Sequence, residues 1–254
     1  MTAKSESRDQ RYDAAEWAAR IELAAGYRIA DMFGFSDIIW NHITLKIPHR
    51  EHFLINRFGL CYDEVTASNL VTLDLDGNVI DPGSGSSDEA VNKTGFIIHS
   101  AVHAARPGIG CVMHSHAEAG LVVSVLEEGL LPMTLDALPI YGRVSYHEFE
   151  GQTVNADERQ RLAESLGSNN AMILRNHGLL TTGKTVGEAF MTMYYLDRAC
   201  RVQMQVLASG QSYSLASEEA CRQAATEYQQ FAYGQFEWPA LLRLVERQAP
   251  EFKQ

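Results

Sequence analysis

Apolar residues recur at helical spacing from about Tyr12 to Phe33, where Ala14, Trp17, Ile21 and Ala24 share one face and Gly34 closes the run, so a helix is expected there. The pattern then shortens. Ile43 to Ile47, Phe53 to Ile55 and Leu70 to Leu75 have strand length, and Asp76-Gly77 between Leu75 and Asn78-Val79-Ile80 reads as a hairpin turn. Pro82 to Ser87, rich in glycine and serine, reads as a loop inside the domain. Helical periodicity returns over Ala90 to Ala105 and Ala117 to Glu128. Asn155 opens a further helix with Asp157 and Glu158 in its first turn, where the helix dipole favours acidic groups. Thr185 with Glu188 three residues on is a capping box for a helix running through Phe190, Tyr194 and Leu207 to Gly210. Two more helices are expected between Glu218 and Gln248, while Gly110 to Met113 and Ala171 to Leu174 are apolar runs of strand length. Strands alternating with helices, without a long linker or a repeat, predict an α/β fold in which helices cover a central sheet. We expect one domain over residues 1–254, with a core of about 15–210 and C-terminal helices at about 217–250.

Composition narrows the function classes. With 46% hydrophobic and 21% charged residues in 254, the chain can bury a substantial core. A net charge of −11 argues against nucleic acid and against an anionic membrane, both of which need concentrated Lys and Arg. No apolar run approaches the ~18 residues of a membrane span, and the polar first dozen residues do not read as a secretory signal. Cys61, Cys111, Cys200 and Cys221 form no close pair, consistent with reduced thiols in the cytoplasm.

The chemistry is concentrated in histidine. His114 and His116 end the run Gly110 to Met113, and residues two apart on a strand point to one face. Nine histidines give an H-x-H pair by chance in roughly one such chain in three, so the pair alone is weak. His177, beside Gly178 at the end of the run Ala171 to Leu174, is the third member of the set. Three imidazoles from two strand ends describe a site for one divalent ion with positions left open, as catalytic sites have, and imidazole suits zinc, manganese, iron, cobalt or nickel better than magnesium. His99 and His103, four apart on a helix without the glutamate of a zinc protease motif, read as packing or as groups that orient a ligand. His49, His52 and His147 lie in polar surroundings and are expected in solvent.

Taken in order, Asn41-His42-Ile43-Thr44, Phe58-Gly59, Phe96-Ile97-Ile98-His99 through Arg106-Pro107 to His114-Ser115-His116, and Asn176-His177-Gly178-Leu179 resemble the class II aldolase/adducin N-terminal domain family over roughly residues 15 to 210. The resemblance implies a three-layer α/β/α fold, a homo-oligomer, most often a tetramer with sites at subunit boundaries, and His114, His116 and His177 as metal ligands. It also marks departures. Where sugar-phosphate aldolases of the family carry a Ser-Ser-Glu triplet for phosphate and acid/base work, this chain has Lys93, Thr94 and Gly95. Asn41-His42 replaces a Gly-Asn pair, and Phe58-Gly59 replaces a Thr-Gly pair. Asn41, Phe58, Gly59, Lys93 and Thr94 are therefore the expected substrate-binding positions, and bulky Phe58 crowds the space of a phosphate. These replacements resemble the adducin-like branch, whose eukaryotic members are cytoskeletal.

A divalent ion that chelates a small hydroxy or oxo acid stabilises an enolate, which lowers the barrier to breaking an adjacent carbon–carbon bond. The expected activity is a lyase, of aldolase or decarboxylase type, passing through a metal-bound enolate on a non-phosphorylated carboxylate. A dehydratase using the same enolate and an adducin-like interaction module without catalysis are the alternatives. With glycine at position 95 the acid/base must come from elsewhere, and His42, Glu118 and Tyr141 are the candidates.

Overall fold

The computed structural model describes residues 11–85, 91–151 and 156–254. Helix α1 (Ala14–Met32) begins where the Asp13 side chain accepts from the Glu16 amide, satisfying one of the donors that every helix leaves free at its start. Strands β1 (His42–Lys46), β2 (His52–Ile55), β3 (Val71–Asp74) and β4 (Val79–Asp81) follow. Next come α2 (Lys93–Ala105), β5 (Cys111–Ser115), α3 (Glu118–Ser124), β6 (Val144–His147) and α4 (Ala156–Leu166). The hairpin β7 (Ala171–Leu174) and β8 (Gly178–Gly183) leads into α5 (Val186–Ala208), α6 (Glu218–Tyr228) and α7 (Glu237–Gln248). Asn155, Ala90, Ser86 and Ser87, which carry part of the helix and loop expectations, lie outside the described residues.

The eight strands form one sheet in the order β4-β3-β2-β1-β5-β8-β7-β6, antiparallel except for the edge pair β6 and β7. Alternation along each strand sorts side chains between two layers. On one face Ile43, Leu45, Cys111, Met113, Ile173 and Leu179 join Leu23 of α1, Phe190 of α5 and Trp238 of α7 in the main core. On the other, Val112, Met172, Leu174 and Leu180 meet Ile98 and Val102 of α2 and Leu162 and Leu166 of α4. The result is the expected helix–sheet–helix layering.

Two strands escape the sequence pattern. β8 is buried at every position, so it shows no alternation, and its glycines at both ends disguise a central strand as a turn. β6 is a four-residue edge strand whose His147 is buried, not solvated as expected. α3 is also shorter than its periodicity suggests, because the chain turns at Val125 and reaches Gly129 (φ 67), where any Cβ would lie 2.3 Å from the Tyr146 hydroxyl.

Candidate metal centre and cleft

The sheet builds the site from its middle strands. In β5, His114 falls on the α2 face, and the antiparallel register sets it directly opposite His42 of β1. His116 follows one residue beyond the strand. The β7–β8 hairpin turns in three residues, Arg175 to His177, with Asn176 at φ 57, and this tight turn carries His177 back over β5. Gly178 (φ 150) makes the crossing possible, since a Cβ there would lie 2.6 Å from the Ser115 carbonyl oxygen. Ring nitrogens from His114, His116 and His177 consequently lie within 4.8 Å of one another.

Hydrogen bonds on the far side of the rings fix how these nitrogens are used. His114 Nδ1 is 2.9 Å from the Leu179 carbonyl oxygen, which can only accept, so the ring proton sits on Nδ1. His116 Nδ1 is 2.8 Å from Asp37 Oδ2 and donates to the carboxylate in the same way. Both Nε2 lone pairs then face inward, only 3.0 Å apart. Two lone pairs at that distance repel unless a cation sits before them, so the donor set fits a divalent ion. Electrostatics agree: burial, reinforced by the neighbouring rings, holds His114 well below the usual imidazole range and His177 down at about 4. Rings kept neutral at physiological pH are rings free to ligate.

The histidines line a cleft of about 790 Å³. Asp37, Trp40, His42, Asn92, Gly95, His147, Phe149, Glu150, Glu158 and Arg175 are among its other lining residues. Its character is acidic. Asp37, Glu148, Glu150 and Glu158 contribute to the wall, Asp37 bonded to His116 and Glu150 ion-paired with Arg161, and Arg175, the one Lys or Arg among the described lining residues, is tied to the Leu126 and Glu127 carbonyls and lies over the Tyr146 ring.

The expected acid/base and substrate positions are scattered by the fold. His42 lies in the cleft wall, buried, with its ring centroid 5.4 Å from that of His114. Burial pushes its pKa down to about 3. An added Cβ on Gly95 would lie 1.9 Å from His42 Nε2, so the imidazole fills the space that a side chain at position 95 would use. Glu118 is exposed at the start of α3, and Tyr141 sits in a turn between α3 and β6; neither lines the cleft. Asn41 is buried and donates to the Phe35 carbonyl, bracing the connection from α1 to β1. Phe58 does not line the cleft, its ring lying 5.8 Å from that of Trp40, which does, and Gly59 (φ 91) faces open space. Lys93 and Thr94 begin α2 next to the cleft residues Asn92 and Gly95, and their side chains lie outside the described residues.

Three contributors were missed. Asp37 orients His116 across 79 residues of sequence, and no local signal joins them. His147 and Glu150 reach the cleft because β6 pairs with β7; the alternation in Val144-Ser145-Tyr146-His147 is the faint sign of that strand.

A family model described as Class II Aldolase and Adducin N-terminal domain matches residues 21–204. Among solved structures, an aldolase II superfamily protein from Pseudomonas syringae is 38% identical, with a TM-score of 0.91 over 96% of this chain and 98% of that one. An L-fuculose 1-phosphate aldolase from Glaciozyma antarctica PI12 is 31% identical, with a TM-score of 0.83 over 98% of both chains. Alpha-adducin of Rattus norvegicus is 46% identical over 200 residues, which are 78% of this chain and 27% of adducin.

Proposed function

Because this chain belongs to the class II aldolase and adducin N-terminal domain family, we propose that it is a divalent-metal-dependent carbon–carbon lyase, of aldolase or decarboxylase type, for a small non-phosphorylated hydroxy or oxo acid. The observation that carries this reading is the pair of inward lone pairs on His114 and His116, with His177 closing the set, in the wall of an accessible cleft. An ion held there by His114, His116 and His177 would supply Lewis-acid stabilisation of the enolate that carbon–carbon cleavage leaves behind. His42 stands beside it as the group positioned to accept the substrate hydroxyl proton: the O–H pair becomes the new carbonyl, the carbon–carbon pair passes to the enolate, and the proton returns to carbon afterwards.

Charge supports the unphosphorylated class. A substrate carboxylate would meet an ion held there, whereas a phosphate would find Glu148 on the wall and, among the described lining residues, no Lys or Arg but Arg175, which is already engaged. The likeness to an L-fuculose 1-phosphate aldolase favours a sugar phosphate instead, and the likeness to alpha-adducin favours an interaction module, which by itself would not require three converging ring nitrogens at a cleft. A dehydratase would share the enolate. The test is a panel of hydroxy and oxo acids and matched sugar phosphates, assayed with Mn, Zn or Mg for cleavage, carbon dioxide and water loss. Turnover of an unphosphorylated acid by carbon–carbon cleavage is expected; faster turnover of a sugar phosphate, or turnover without metal, would overturn the proposal.

A further inference from the structure

Behind the cleft lies a polar chain that no ligand role absorbs. β1 sets His42 and Thr44 on the face covered by α2, and α2 presents His99 and His103 one turn apart. His42 Nδ1 is 2.9 Å from His99 Nε2, His99 Nδ1 is 2.8 Å from Thr44 Oγ1, and Thr44 Oγ1 is 2.9 Å from His103 Nε2. All four residues are buried. Burial also keeps the rings neutral, pushing His42 and His103 down to about 3 and His99 well below the usual range.

A neutral imidazole has one N–H and one lone pair, and a hydroxyl has one proton to give. The Thr44 hydroxyl makes no other hydrogen bond among the described residues, so three links in series admit two orders, with every donor pointing toward His42 or every donor pointing away. Either order puts the proton on the same nitrogen of all three rings: on Nδ1 of His42, His99 and His103 when the donors point away from His42, and on Nε2 of all three when they point toward it.

We propose that Thr44 and His103, acting through His99, are positioning residues that hold His42 in a single tautomer and so fix what its Nε2, over Gly95, presents toward the cleft. The consequence for turnover rests on the lyase reading, but the proton's position does not. Zinc-loaded protein labelled with 15N at histidine, read by ring nitrogen–proton correlation, should show one tautomer in each of His42, His99 and His103, and the same one in all three. A wild-type protein with mixed tautomers at His42, or with His42 and His103 in opposite tautomers, would overturn the proposal without any variant having to fold. Thr44→Val should mix the His42 tautomers and lower kcat at least about tenfold, with KM and zinc content within twofold; Thr44→Ser should restore both readouts. An unchanged His42 tautomer in folded Thr44→Val would equally defeat it. Wild-type protein with the expected tautomers that cleaves no acid in the panel upholds the chain and removes the lyase reading.

Discussion

At His114 and His116 the ring nitrogen turned away from the cleft decides what the other one can do. Removing any of the three histidines leaves an ion two nitrogen ligands, so alanine at 114, 116 or 177 should abolish retention of a divalent ion through dialysis, whereas His99→Ala should keep most of it; elemental analysis reads the difference. Asp37→Ala takes only the partner of His116 Nδ1 and should weaken zinc affinity about 10- to 100-fold in competition with a chromophoric chelator. Gly95 carries the opposite kind of constraint, since the space beside it belongs to His42. Gly95→Ala should displace the imidazole, cut turnover more than it cuts metal content, and cost about 1–3 kcal/mol in urea unfolding from overpacking. Motif order in the sequence marks the three histidines and His42 because each ends or begins an apolar run. It hides Asp37, His147 and Glu150, whose place depends on strand pairing across long stretches of chain.

Helices were more legible than strands, for a physical reason. α7 buries Trp238 and Val245 on one stripe and so prints its periodicity on the sequence; α1, covered all round from Leu23 to Ala30, and α5, covered through most of its first half, exceed strand length, and Thr185 marks the start of α5 by accepting from the Glu188 amide. The Glu188 carboxylate reaches the Lys184 amide, one residue earlier than a standard capping box would have it. β8, covered on both faces, prints nothing of the kind. Packing between elements is likewise invisible until seen: Gly187 of α5 lets α7 approach closely, and a Cβ there would lie 2.7 Å from Trp238 Cγ. Trp238→Ala should therefore lower stability by roughly 3–5 kcal/mol in urea unfolding. Metal retention in the folded variant should be unchanged, because no ligand comes from either helix.

Over the whole molecule, buried histidine makes stability depend on pH. His42 and His103 at about 3 and His177 at about 4 lie below the unfolded value near 6.5, so the unfolded chain binds more protons between those limits. Stability is thus fully present above about pH 6.5 and is lost as pH falls. Metal-free protein should lose unfolding free energy at pH 5 relative to pH 7.5, on the order of 2 kcal/mol for each fully shielded ring and read as a lower urea midpoint, with little change between pH 7.5 and 8.5. The resemblance drawn from the sequence gives a second expectation, a homotetramer, which light scattering across micromolar concentrations would report as about four times the mass of one chain. The three-residue turn between β7 and β8 has a bearing on how such a scaffold can change. Asn176 at positive φ and Gly178 pressed against the Ser115 carbonyl leave that turn no room to lengthen or diversify without withdrawing His177. Directed evolution toward new substrates consequently has its freedom in the exposed wall segments around Trp40 and Phe149, where mutational libraries can reshape the entrance while the turn stays a fixed cost of keeping the ion.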